Sequence, residues 1–190
     1  AEASSDRQLD NGMNWFEKMK SGILTRIKRE IPEGIWSQCK QCGEAVYQNA
    51  LERDLWVCSR CGFHFPIGHE KYIDILADSG SFTELDAGVA TADPLKFRDH
   101  RRYTDRIKEG RRASGLNESV CTGVCRIGGH PVALGIMDTR YILGSMGGAT
   151  GEKIARLIDR AITDRRSLVL LSQSGGARMQ ESTYSLMQMA

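Results

Sequence analysis

No stretch of this 190-residue sequence approaches the roughly 20 consecutive apolar residues that a membrane helix needs, which excludes a helical span. Neither sign of charge dominates: 26 Lys and Arg against 24 Asp and Glu leave +2, too little to imply a nucleic-acid partner. The polar opening AEASSDRQLDNG lacks the apolar h-region of a secretory signal, so nothing places the chain in an oxidising compartment. Internal repeats and low-complexity tracts are absent as well. No histidine follows His130, and that absence matters at LLSQSGGARMQE, residues 170–181. There Ser172 and Ser174 lie beside glycines, as a hydrolase nucleophile does. Neither has a glycine two positions before it, and no histidine follows to complete a Ser, acid, His order within these residues, so the pattern speaks against a serine nucleophile.

What is present is the composition of a globular chain, 41% hydrophobic and 26% charged, enough for one sizeable core plus a small module. Basic residues concentrate at 18–30 and 98–112, which read as solvated faces. Four of the six cysteines form CKQC (Cys39, Cys42) and CSRC (Cys58, Cys61), separated by fifteen residues. Each Cys-x-x-Cys turn sets two sulfurs on one side, and a hairpin between the pairs closes a tetrahedron around a zinc ion. Gly43 and Gly62 follow each pair, where the turn needs a residue free to take positive φ. Four thiolates leave no position for water, so this Zn2+ folds its module and does not catalyse. His64 is a surface or packing residue. Cys121 and Cys125, four apart on a predicted strand and so about 13 Å from each other, are too distant to bridge and read as small buried hydrophobes.

Along the chain, residues 1–35 form a leader and a basic amphipathic helix with Trp15, Met19, Ile23 and Ile27 on one stripe. The zinc ribbon spans 36–66. A helical, charged connector follows over 67–118 and lies across the next domain without a core of its own. From 119 to 190 the texture is α/β. SVCTGVCRI, the turn GGHP and VALGIMD predict an antiparallel hairpin. Ile154, Leu157, Ile158, Ala161 and Ile162 form the stripe of a helix packing on a sheet. SLVLLSQ predicts a strand buried on both faces, and a second helix starts in MQESTYSLMQMA after the glycines.

A strand end, Gly175 and Gly176, and a helix start together present N–H groups pointing one way. Such an arrangement suits an oxyanion hole for an enolate or tetrahedral intermediate; a tight turn with glycines for packing alone is the plain alternative. The GSMGG loop, Gly144 to Gly148, raises the same possibility for a phosphate or second oxyanion.

The ribbon followed by MGGATGEKIARLI, SGGARMQES and SLMQMA resembles the β subunits of acetyl-CoA carboxylase carboxyltransferase, from about Met13 to Ala190. The resemblance implies a four-cysteine zinc ribbon joined to a crotonase-like domain of ββα units, incomplete at the C-terminus and exposing apolar surface there. It implies transfer of a carboxyl group from carboxybiotin on a carrier protein to acetyl-CoA, giving malonyl-CoA, in a plastid or in bacterial cytoplasm. Gly175 and Gly176 supply an oxyanion hole in that reading. Gly144, Ser145, Met146, Gly147 and Gly148 line the coenzyme A side, and Arg178 orients the loop, meets a phosphate or forms a structural salt bridge. Implied partners are an α subunit in an α2β2 heterotetramer, biotin carboxyl carrier protein and biotin carboxylase. A zinc-ribbon nucleic-acid binder using Arg60, and a carboxyltransferase for another acyl-CoA, stand as alternatives. Acidic Glu44, Glu52 and Asp54 within the ribbon count against the former.

Overall fold

The computed structural model describes residues 35–190; the leader and the helix expected over 13–31 lie outside the described residues. Two short strands, β1 (Trp36–Gln38) and β2 (Ala45–Tyr47), pair antiparallel and lead into helix α1 (Gln48–Arg53). Their core is small. Cys39, Val46, Leu51 and Cys58 are buried, with Trp56, Phe63 and Phe65 packed around them.

The larger unit is a four-stranded sheet in the order β3-β4-β5-β6. The predicted hairpin is β4 (Val120–Ile127) and β5 (His130–Met137), in register from Val120 opposite Met137 to Ile127 opposite His130. Helix α4 (Gly148–Asp164) then crosses over the sheet, and β6 (Ser167–Leu171) returns parallel to β5. Alternation along β5 divides its side chains between two layers. Val132, Leu134 and Ile136 face Tyr72, Ile73 and Leu76 of helix α2 (His69–Leu76), while Ala133 packs with Leu157 and Ala161 of α4. Gly135 lets α4 approach, since a Cβ there would lie 2.5 Å from a Leu170 methyl and 3.0 Å from one of Leu157.

Three expectations change. The connector contributes strand β3 (Thr83–Leu85), paired antiparallel with β4, so the sheet begins before residue 119. The connector's second helix, α3 (Tyr103–Ser114), buries Tyr103 and Ile107. Helix α4 turns a different face inward: Thr150, Lys153, Leu157 and Ala161 are buried, whereas Ile162 is 71% exposed. Of the predicted stripe, Leu157 and Ala161 are buried and Ile154 is half-buried, while Ile158 and Ile162 are exposed. Strand β6 is not buried on both faces either. Leu168 and Leu170 are partly open on the α4 side, and β6 is an edge of the sheet among the described residues. Cys121 and Cys125 are buried as expected, and burial pushes the Cys121 thiol up to about 12.

Asp138, just past β5, fixes helix α2 to the sheet. Its carboxylate accepts the His69 backbone N–H at 3.0 Å, contacts His69 Nδ1 at 2.8 Å, and accepts Arg140 Nε at 2.9 Å. Burial opposes its charge, but the bonds from His69 and Arg140 outweigh burial and hold its pKa well below the usual carboxylate range. Because the folded pKa is depressed, this stabilisation is present above the unfolded value of about 3.9 and is lost progressively as pH falls below it. Asp138→Asn is expected to lower stability at neutral pH by about 1–3 kcal/mol, and to flatten the acid limb of a plot of melting temperature against pH.

Candidate functional site

In the ribbon, Gly43 N–H donates to the Cys39 carbonyl at 2.9 Å and Gly62 N–H to the Cys58 carbonyl at 2.8 Å. Both glycines take the expected positive φ, +72° and +74°. The two turns bring all four sulfurs within 4.8 Å of one another, with Cys39 to Cys61 at 3.6 Å and Cys42 to Cys58 at 3.8 Å. A tetrahedral zinc with bonds of about 2.3 Å separates its sulfurs by about 3.8 Å, so the donor set fits the ion. Burial opposes ionisation of Cys39, but the N–H groups of Cys42 and Gln41 and neighbouring thiols outweigh it and lower its pKa to about 7. His64 sits in a bridge with Val57, outside the sulfur cluster. Arg60, the residue a nucleic-acid reading would use, is paired with Glu44.

The second site joins the two glycine-rich segments. Met146 N–H donates to the Gly176 carbonyl at 2.9 Å, and Arg178 N–H donates to the Met146 carbonyl at 2.8 Å, a parallel bridge that lays one loop along the other. Glycine is needed for this approach. A Cβ on Gly144, which has φ +67°, would lie 2.2 Å from the Gln173 carbonyl oxygen. Gly144→Ala is therefore expected to lower stability by about 1–3 kcal/mol, read as a fall in melting temperature.

The GSMGG loop does not form an open anion cradle. Every N–H from Gly144 to Gly148 is spent within the chain: on Tyr141, Ile142 and Gly176 carbonyls, on Thr150 Oγ1, and on the Glu181 carboxylate at 2.7 Å from Gly148. Glu181 thus caps the start of α4, the position that the sequence pattern offers to a phosphate or second oxyanion. The SGGAR loop lies nearer the surface. Gly175 is exposed, and its N–H donates to the Leu143 carbonyl at 3.0 Å; Gly176 N–H donates to Ser174 Oγ at 3.0 Å. No helix begins directly after the glycines. A 3-10 turn, Met179–Glu181, comes first, and Ser182 at φ 50° and ψ −128° separates it from helix α5 (Thr183–Met187). Any charge stabilisation at Gly175 and Gly176 therefore comes from their own N–H groups, because a helix dipole acts within its first turn.

Arg178 is fully buried and cannot reach a phosphate in solvent. Its guanidinium donates to Glu118, to Ser145 Oγ at 3.1 Å, to Thr91 Oγ1 at 2.7 Å and to Glu181 Oε1 at 3.2 Å. Tyr103 Oη donates to the same Glu181 oxygen. Burial works against the Glu118 charge, and hydrogen bonds from Arg178 overcome it, keeping that carboxyl below its ordinary value. Sequence reasoning missed Glu118, Glu181, Tyr103 and Thr91. Glu118 left a trace as a lone carboxylate beside the apolar run SVCTGVC, and Glu181 sits within SGGARMQES, but spacing assigns a role to neither.

With this four-thiolate ribbon and this sheet carrying two interlocked glycine loops, the chain belongs to the carboxyl transferase domain family, which it matches over residues 70–190. Residues 36–61 match the acetyl-CoA carboxylase zinc finger domain. The similar curated proteins are acetyl-coenzyme A carboxylase carboxyl transferase β subunits. One from a Synechococcus species is 44% identical over 180 residues, covering 93% of this chain and 62% of that protein. One from Chlorobium limicola is 42% identical over 178 residues, covering 94% of this chain and 64% of that protein. The chain thus spans less than two thirds of the length of these relatives. Among solved structures, a transcarboxylase 12S core with methylmalonyl-coenzyme A and methylmalonic acid bound superposes with a TM-score of 0.50 at 25% identity, over 65% of this chain and 22% of that one. No described helix is long and apolar enough to cross a membrane.

Proposed function

We propose that this chain acts as an acetyl-CoA carboxylase carboxyltransferase β subunit, transferring a carboxyl group from carboxybiotin on a carrier protein to acetyl-CoA. The observation that carries the reading is the parallel bridge between the two glycine loops, which leaves Gly175 at the surface of a chain in this family. Carboxybiotin supplies the carboxyl group and, once that group has left, the base for a proton of the acetyl methyl. The reaction develops negative charge on oxygen, so backbone donors suffice and no side-chain nucleophile is needed. Gly176 N–H becomes available when the exposed Ser174 hydroxyl rotates away, and Gly175 N–H when it exchanges the Leu143 carbonyl for substrate oxygen. The 144–148 loop acts as the platform beneath them. Zinc holds the ribbon together and stands outside the chemistry.

In this reading an α subunit completes the site in an α2β2 assembly, served by biotin carboxyl carrier protein and biotin carboxylase in the cytoplasm. The test is carboxyl transfer from malonyl-CoA to free biocytin by the full-length protein with its α partner. Transfer that requires the partner supports the reading. No transfer from an assembled, zinc-loaded complex refutes it. Comparison of acetyl-CoA with propionyl-CoA as acceptor decides the acyl class.

A further inference from the structure

We propose that Glu118 is a positioning residue for carboxyl transfer, holding the Gly175–Gly176 segment in register through Arg178. The inference rests on the carboxyltransferase reading above. Glu118 lies outside both glycine loops, two residues before β4, and is fully buried. Its two oxygens grip the two terminal nitrogens of Arg178, one at 3.1 Å, and the Oε1 oxygen also accepts the Ser119 N–H at 2.7 Å. Ser119 Oγ in turn donates to the Ser145 carbonyl at 3.0 Å, and Arg178 Nε donates to Ser145 Oγ at 3.1 Å. Glu118, Arg178, Ser145 and Ser119 thus close a ring that ties both loops to the sheet. Arg178 follows Gly176 by two residues, so its side chain sets where the Gly176 peptide lies. Ser145, Thr91 and Glu181 also accept from the guanidinium, but Glu118 is the charged partner that meets both terminal nitrogens at once, so its two-pronged grip sets the plane in which the fork lies.

Glu118→Gln keeps the volume and loses the charge and the paired grip. In the malonyl-CoA to biocytin assay, with the full-length protein and its partner, it is expected to lower kcat by about 100-fold with KM for malonyl-CoA unchanged, the signature of misplaced groups. Arg178→Lys keeps the charge but not the fork and should lower kcat likewise; it tests the same grip if Glu118→Gln does not fold. The double variant should lose no more than either single one, because the pair acts as a unit. Ile136→Val, a core change in β5 away from the loops, supplies the stability control: lower melting temperature, wild-type kcat. Wild-type kcat in Glu118→Gln, additive losses in the double variant, or an equal kcat loss in Ile136→Val would each overturn the proposal. Gly176→Ala separates the two readings. If it is inactive while Glu118→Gln is fully active, only the positioning role falls; if the wild-type complex transfers nothing, the carboxyltransferase reading falls with it.

Discussion

Chelation of zinc, or Cys58→Ala, is expected to unfold residues 36–65 while the sheet of β3 to β6 stays folded. The ribbon has too little else to hold it. Its buried side chains are Cys39, Val46, Leu51 and Cys58, and two of those four are metal ligands. Burying Val46 and Leu51 contributes about 1.5–3 kcal/mol each. Zinc binding in comparable peptides supplies on the order of 10–16 kcal/mol, more than the burial of Val46 and Leu51 together. The sheet has its own core, centred on Cys125, Val132, Leu134 and Ile136. Amide exchange resolves the outcome: after chelation, protection should vanish at Val46 and Leu51 and persist at Leu134. Loss of protection in both regions at once would mean that the ribbon and sheet fold as one unit. Protection retained in both would mean that the metal is dispensable.

The parts of this molecule written in local spacing are those the sequence discloses. Two Cys-x-x-Cys pairs with a following glycine specify the ribbon because each turn is determined by a few adjacent residues. The hairpin from Val120 to Met137 is equally local: alternating apolar strands around a Gly-Gly turn. Strand β3 is not legible, since Thr83–Leu85 has three residues, too few for alternation, and owes its conformation to β4. The inward face of α4 misleads for another reason. Lys153 is 1% exposed among acidic neighbours, so polarity and burial part company at that position. The arginine network is the least legible element, because Glu118 and Arg178 are sixty residues apart and only the fold brings them together. The two glycines of SGGAR are thus visible in the sequence, and the buried network beneath them is not.

Those two glycines carry the largest expected effect on turnover. Gly176 has φ +104°, a conformation side chains rarely adopt, although a Cβ there would meet nothing within 4 Å. Gly176→Ala should therefore act by rotating the peptide, not by a clash. At Gly175 the constraint is different: a Cβ would approach the Leu143 carbonyl oxygen to 3.3 Å, so Gly175→Val crowds the space where a substrate oxygen must arrive. Loss of one oxyanion donor costs about 2.7–4 kcal/mol of transition-state stabilisation, so each variant is expected to lower kcat by about 100- to 1,000-fold. KM should change little if the donors act mainly on developing charge. Ser174→Ala provides the contrast. Its hydroxyl occupies the Gly176 N–H at 3.0 Å, so its removal frees a donor and should leave kcat no lower. Melting temperature, zinc content and assembly with the partner check that each variant is folded. Full activity in both glycine variants would remove the backbone donors from the mechanism. A collapse in Ser174→Ala alone would transfer the role to the hydroxyl, as a donor to the oxyanion instead of a placeholder for it.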